Sequence, residues 1–317
     1  MTRLFKTSLL ALAGAALLTG TAFGQEWSYT DGAGNTVTLD SPPERIVAFS
    51  SSAAGLMQFG IEPVGIFIDE SASDKSYAEF DLEGIEVIRT AYNELRPESI
   101  LALEPDLIVT EWWPAEGTYS GGDEMDPEGQ FGRVAPIVGI YQGDSVLTMI
   151  EDYQALAESL GADLDSDAIT TQIAAFDAAR EQFAAATQAK PGLTALAAYA
   201  SPDELFVAAP DTAAELQDFQ AWGLDVVAPD VPEGEYWHVL SWENADLYPA
   251  DLLLIDDRSG DDGRAIVDAQ PLADIMPAVA ADQIGDWPAW WIRTYSAYTE
   301  QLEELTALIE SAEDVTE

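Results

Sequence analysis

The sequence predicts an α/β protein of two similar Rossmann-like lobes joined by a single long rigid helix. Three observations lead there. Val/Ile/Leu-rich strands alternate with helical segments in both halves of the 317 residues. A 25-residue helical pattern sits near mid-chain, and one block of the first half recurs in the second.

"EWSYTDGAGNTVTLD" reads as a hairpin turning on Asp31 to Asn35. "RIVAFS" (45–50) is then a strand, "AAGLMQFG" a helix and "EPVGIFID" a strand. "PESILALE" is a short helix, "PDLIVTE" a strand, and "GRVAPIVGIY" ends in another. Such alternation argues for a parallel sheet covered by helices. "SVLTMIEDYQALAESLGA" (145–162) is a helix stopped at Gly161.

The helix over 166–190 places Ile169, Ile173, Phe176 and Phe183 near 3.6-residue spacing, with Ser166 as N-cap and Pro191-Gly192 as stop. At 1.5 Å per residue it runs roughly 35 Å, a strut about one domain across. Beyond it "LTALAAYA", "ELFVAA", "LDVVA" and "ADLLLIDD" read as strands and "TAAELQDFQAWG" as a helix. The amphipathic helix "SAYTEQLEELTALIES" follows. The expected division is a leader (1–24), an N-terminal lobe (25–165), the interlobe helix (166–190) and a C-terminal lobe (191–317).

The leader is a basic start, an apolar run of about fifteen residues and small residues before a polar break, the pattern of a cleaved signal peptide. Ala22 and Gly24 occupy the −3 and −1 positions for cleavage after Gly24. The run is shorter than the roughly 20 residues of a spanning helix. There is no cysteine, which removes disulfides, thiolate metal sites and the lipid-acceptor residue of a bacterial lipoprotein. The expectation is a soluble periplasmic monomer without a lipid anchor.

Arg3 and Lys6 are the only charged residues of the leader, so the remainder carries 58 acidic against 10 basic side chains, a formal −48. Such a charge repels nucleic acid and anionic lipid. The acids are scattered among apolar residues, as on a folded acidic surface suited to a saline habitat.

"PESILALEPDLIVTE" (97–111) and "WENADLYPADLLLID" (242–256) share a plan: carboxylate, short helix, proline, Asp-Leu, apolar strand. Glu98 precedes Asp106-Leu107 by eight residues, as Glu243 precedes Asp251-Leu252. A helix N-terminus stabilises a carboxylate. Two similar lobes would thus each present one exposed acid to a partner with matched basic sockets.

Four stretches resemble the periplasmic substrate-binding proteins of iron–siderophore and vitamin B12 ABC importers. They are "SPPERIVAFSSSAAGLMQFGIEPVGI" (41–66), "RPESILALEPDLIVTE" (96–111), "VAPIVGI" (134–140) and "DAQPLADIMPAVAADQIGDW" (268–287). The likeness extends over about residues 36–312. It implies helix-linked lobes, an inner-membrane ABC permease dimer as partner, and docking through Glu98 and Glu243 onto permease arginines.

Ligands of parallel α/β lobes bind at the carboxyl ends of strands. The N-lobe offers Ser50 to Ser52, Asp69, Arg89, Trp112, Trp113 and Tyr141 there. The C-lobe offers Tyr199, Trp237, His238, Arg258, Trp287, Trp290, Trp291 and Tyr295. So many rings suit a wide amphipathic cleft. In "TEWWP" two adjacent rings cannot both enter one core. Arg89 resembles the arginine that hydroxamate-siderophore binders place over the ligand's iron-bound oxygens, and a guanidinium fork suits such a cluster.

His238 is the one histidine, so direct metal capture by the protein lacks a ligand set. Its expected role is a polar contact on the same cleft wall as Trp237. The reading is capture of an Fe(III)–siderophore complex, hydroxamate rather than anionic catecholate, with no cofactor and no covalent chemistry. Cobalamin or haem is the alternative, with His238 or Tyr141 as an axial ligand for haem. An exported hydrolase is the rival class, but the chain has no G-x-S-x-G, P-loop or histidine-centred triad signature.

Overall fold

A computed structural model describes residues 26–68, 74–91, 94–114, 117–121, 125–143, 145–257 and 262–316. The leader, Asp69 and Arg258 lie outside the described residues.

The hairpin is β1 (Trp27–Thr30) and β2 (Thr36–Leu39). Its turn is closed by the Asp31 carboxylate, which accepts from the amides of Ala33 and Asn35. Next come β3 (Ile46–Phe49), α1 (Ser50–Met57), β4 (Gly65–Ile68) and β5 (Glu86–Arg89). They are followed by α2 (Pro97–Leu101), β6 (Leu107–Trp113), β7 (Thr118–Tyr119), β8 (Ile137–Tyr141) and α3 (Val146–Ser159). The mid-chain helix is α4 (Asp167–Ala189), whose first turn is capped by Ser166 Oγ accepting from the Ile169 amide.

The second half runs β9 (Thr194–Ala200), β10 (Glu204–Ala208), α5 (Ala214–Ala221), β11 (Asp225–Val226) and β12 (Trp237–Ser241). It continues through β13 (Leu252–Asp256), α6 (Asp262–Ala269), α7 (Pro277–Ala280), β14 (Ile284–Trp287) and α8 (Tyr295–Ser311).

Each half folds a six-stranded sheet. The N-lobe order is β5-β4-β3-β6, with β8 parallel to β6 on its far side and short β7 antiparallel to the end of β6. The C-lobe centre, β11-β9-β13-β14, is parallel too. Here an antiparallel pair, β10 and β12, extends the sheet, so this lobe is mixed where uniform parallel strands were expected.

The repeated sequence block is a repeated piece of geometry. Leu107 registers with Ile46, and Leu252 registers with Ala195. The Asp106 amide donates to the Arg45 carbonyl at 2.9 Å while its carboxylate accepts from the Arg45 amide at 2.8 Å. Asp251 does the same with Thr194, at 3.1 and 2.8 Å. In both lobes an aspartate closes a parallel strand pair at its start, where ladder groups would otherwise be unpaired.

The helices before β4 and β11 end alike as well. Gly60 (φ 80°) and Gly223 (φ 103°) take the left-handed position that favours glycine. The Ile61 amide then reaches the Leu56 carbonyl, and the Leu224 amide the Phe219 carbonyl.

One face of both sheets contributes to a single continuous apolar core shared with α1, α3, α4, α5 and α8. The opposite face of each sheet has a separate cluster, built around Phe49, Phe67 and Ile108 in the N-lobe and around Leu253, Ile255 and Leu205 in the C-lobe. The lobes therefore share their inner core and keep independent outer ones.

Candidate ligand-binding site

β6 outruns β3: the pairing of these strands stops at Val109, and residues 111–113 continue beyond it. Alternation then decides their directions. Glu111 and Trp113 share the inner face, and Trp112 turns to the outer one, where it packs on Tyr119 with centroids 4.8 Å apart. Trp113 donates from Nε1 to Ser120 Oγ and meets Trp290 of the other lobe edge-to-face at 5.3 Å. The two tryptophans thus take opposite faces.

From Trp290 a connected series of rings crosses the C-lobe. Trp290 touches Tyr236 (5.2 Å), Tyr236 touches Trp237 (4.6 Å), Trp237 touches Phe206 (6.2 Å), and Phe206 touches Tyr199 (5.6 Å). Trp287 lies beneath Tyr236 and Trp237 and is fully buried. It braces this wall from behind, which corrects the expectation that it lines the cleft. Tyr295 is likewise buried, between Phe59 and Phe176.

His238 also departs from expectation. Residues 237–241 form a strand, so neighbours point to opposite faces. Trp237 joins the aromatic series, and His238 turns to the other side, where Nδ1 lies 2.7 Å from the Tyr248 hydroxyl. The two residues do not share a wall.

Two polar junctions cross between the lobes beside the rings. At the deeper one Arg293 forks onto Glu111, Nε to Oε1 at 2.5 Å and Nη2 to Oε2 at 3.1 Å. Both side chains are buried, at 1% and 3% exposure. Oε1 of Glu111 also accepts from Ser51 Oγ and from the Tyr153 hydroxyl, which in turn meets Ser52. Burial works against the Arg293 charge, but Glu111 beside it holds its pKa above the ordinary range. Of the serines in 50–52, the last two therefore serve this junction. Arg293 and Glu111 were not picked out in the sequence; the one signal was an arginine inside the aromatic run "WWIRTY", where a buried cation needs a partner.

At the outer junction Lys75 Nζ lies 2.9 Å from Asp257 Oδ2, and Trp291 Nε1 donates to Asp257 Oδ1 at 2.7 Å. The ammonium sits 5.9 Å from the Trp291 ring centroid. Burial raises the Asp257 pKa, and the bonds from Lys75 and Trp291 oppose that rise.

Arg89 is exposed at the end of β5 and donates from Nη2 to the Tyr77 hydroxyl at 2.9 Å. Tyr141 ends β8, registered with Trp112 and partly exposed. The structure therefore groups Trp113, Trp290, Trp291, Trp237 and Tyr199 with the interlobe junction, and leaves Arg89 and Tyr141 at strand ends of the N-lobe.

Glu98 and Glu243 are exposed and stand in equivalent places, in the first turn of α2 and in the 3-10 turn 242–244. Its own backbone amide and the Ser241 hydroxyl hold Glu243 below the usual carboxylate range.

Among the described residues no helix is long and apolar enough to cross a membrane. No curated protein matches the chain. The solved ferric-siderophore receptor DesE of Streptomyces coelicolor is 32% identical with a TM-score of 0.81, over 91% of this chain and 99% of that one. The petrobactin-binding protein YclQ of Bacillus subtilis shares the fold at 15% identity and TM-score 0.68, over 90% and 99% of the chains. So does the catecholate-siderophore binding protein VctP of Vibrio cholerae, at 17% and 0.62, over 90% and 100%. The family described as periplasmic binding protein matches residues 46–289, and the chain belongs to that family.

Proposed function

We propose that the protein captures a ferric siderophore of hydroxamate type against the aromatic wall between its lobes and delivers it to an inner-membrane ABC permease dimer. The carrying observation is how the cations at that wall are used. Lys75 is held by Asp257 and Arg293 by Glu111, so both are neutralised by the protein's own acids. In a chain of 58 acidic and 12 basic residues, a multiply anionic catecholate complex would find little counter-charge. A neutral or cationic hydroxamate complex needs only rings to lie against and a few donors for its oxygens, and exposed Arg89 is such a donor. The 32% identity to a ferric-siderophore receptor supports the same class. The chain itself is read as exported through a cleaved leader, unlipidated and monomeric; the absence of cysteine supports the second point.

Titrating the purified protein with ferric hydroxamates, ferric catecholates, haem and cobalamin, followed by tryptophan fluorescence, tests the ligand. Saturable quenching by a ferric hydroxamate is expected. Quenching only by haem or cobalamin overturns the siderophore reading, and quenching only by catecholates overturns the hydroxamate assignment.

Docking is proposed through Glu98 and Glu243. Beside each acid stands an exposed leucine: Leu101, three residues on, is 55% exposed, and Leu247, four residues on, is 53% exposed. These are the two most exposed large apolar side chains among the described residues, so each lobe offers an acid with an apolar knob. Glu98→Ala combined with Glu243→Ala should abolish iron uptake in cells while ligand affinity stays at the wild-type level. Lost affinity would instead place these acids in the pocket.

A further inference from the structure

Among the described residues three non-glycine residues have positive φ: Glu104 (49°), Asp282 (57°) and Trp290 (66°). The first two are exposed acids just past short helices, a common place for a left-handed residue. Trp290 is different. It is bulky, half-buried and follows a strand, not a helix, and L-residues of this kind keep such a backbone only where the surroundings hold it.

The holding group is Glu215. It lies in the first turn of α5, is 1% exposed, and its Oε1 accepts the Trp290 amide proton at 2.8 Å. Its Oε2 is buried with no hydrogen-bond partner among the described residues. Burial pushes this carboxyl up to about 7, against the pull of Arg293, its own amide and the Trp290 amide, with Asp218 adding to the rise. The hydrogen bond from the Trp290 amide ties this side chain to the aromatic wall.

Trp290 in turn is where the rings of the two lobes meet. Its indole stands at 89° to Trp113 of the N-lobe and at 66° to Tyr236 of the C-lobe. We infer that Glu215 is a positioning residue: by accepting the amide of left-handed Trp290 it sets the indole at the point where the two lobes share one aromatic surface. This rests on the reading above that the aromatic surface is the ligand face. It adds a residue that touches no ligand but governs the shape of that face.

The test is a double-mutant cycle on the whole protein, with a ferric trishydroxamate as probe and tryptophan fluorescence as readout. Losing a buried hydrogen bond that holds Trp290 should weaken binding about tenfold in Glu215→Ala. Glu215→Gln keeps the acceptor oxygen and should bind within about threefold of wild type. Trp290→Gly removes the ring and tolerates positive φ, so adding Glu215→Ala to it should change affinity less than about threefold. Additive losses, or wild-type binding by Glu215→Ala, overturn the assignment.

Near-UV circular dichroism of the ligand-free proteins gives a second readout. Glu215→Ala and Trp290→Gly should lose the same aromatic signal, and an unchanged spectrum in Glu215→Ala overturns the inference. If wild type fails to bind the probe, the ligand reading falls while the ligand-free comparison still decides the role of Glu215. Should Glu215→Ala not fold, Glu215→Asp, one methylene too short to reach the amide, takes its place with the same expectations.

Discussion

The two polar junctions between the lobes look alike on paper, each a cation from one lobe on a carboxylate from the other, yet they sit in different media. Glu111 and Arg293 are sealed from water, and their fork is completed by Ser51 and Tyr153. Lys75 is 39% exposed, and its pair with Asp257 borders solvent. Geometry is therefore enforced at the first site and adjustable at the second. A buried ion cannot be left alone, so the fork fixes how the lobes meet; a half-wet ammonium can trade its partner for water.

Removing one partner from each pair should expose that contrast. Glu111→Ala strands the Arg293 guanidinium in the core and should cost about 3–5 kcal/mol, seen as a large fall in the urea midpoint. Replacing both residues by methionine should recover much of that loss, because no buried charge remains. A double variant no more stable than Glu111→Ala would show that the fork, not its desolvation, supplies the stability.

Glu215 gives a pH handle on the same junction. Its folded pKa of about 7 exceeds its ordinary 4.5, so its contribution is complete below about pH 4.5 and is lost as pH rises through about 7. Glu215→Gln should thus gain on wild type across that window, by at most about 3 kcal/mol. Parallel stability curves from pH 4 to about pH 8 would contradict this.

At the outer junction Lys75→Ala should cost less than about 1 kcal/mol, and less still in high salt. Burial already raises Asp257, and removing its cation raises it further. A raised carboxyl contributes stability at low pH and loses it as pH rises, so the deficit of Lys75→Ala should be present at neutral pH and vanish on acidification. A loss as large as that of Glu111→Ala would erase the distinction between the junctions.

What the sequence made legible follows the same division between local and distant. The Asp-Leu blocks could be read because the aspartate caps a strand it directly precedes, and the register at Leu107 and Leu252 confirms one plan in both lobes. Ser166 as a cap and the glycine stops were local as well. Strand β12 was missed because apolar residues fall on both of its faces, Trp237 and Val239 on one and Leu240 on the other, so no polar alternation marked it. With that strand unseen, Trp237 and His238 were placed on one wall. Arg293 stayed hidden for another reason. Its partner lies 182 residues upstream, a distance no spacing argument spans.

Asp251 has a consequence for the order of events in folding. One of its oxygens accepts from the Thr194 amide and hydroxyl, and the other accepts from the amides of Val315 and Thr316. The carboxylate thus ties the start of β9 to residues that emerge more than a hundred positions later during synthesis. Gln283 repeats the pattern, donating to the Asp251 carbonyl and accepting from the Glu313 amide. The central strands of the C-lobe can pair early, but their starts are locked only when residues 313–316 arrive. Such long-range closure makes for late completion.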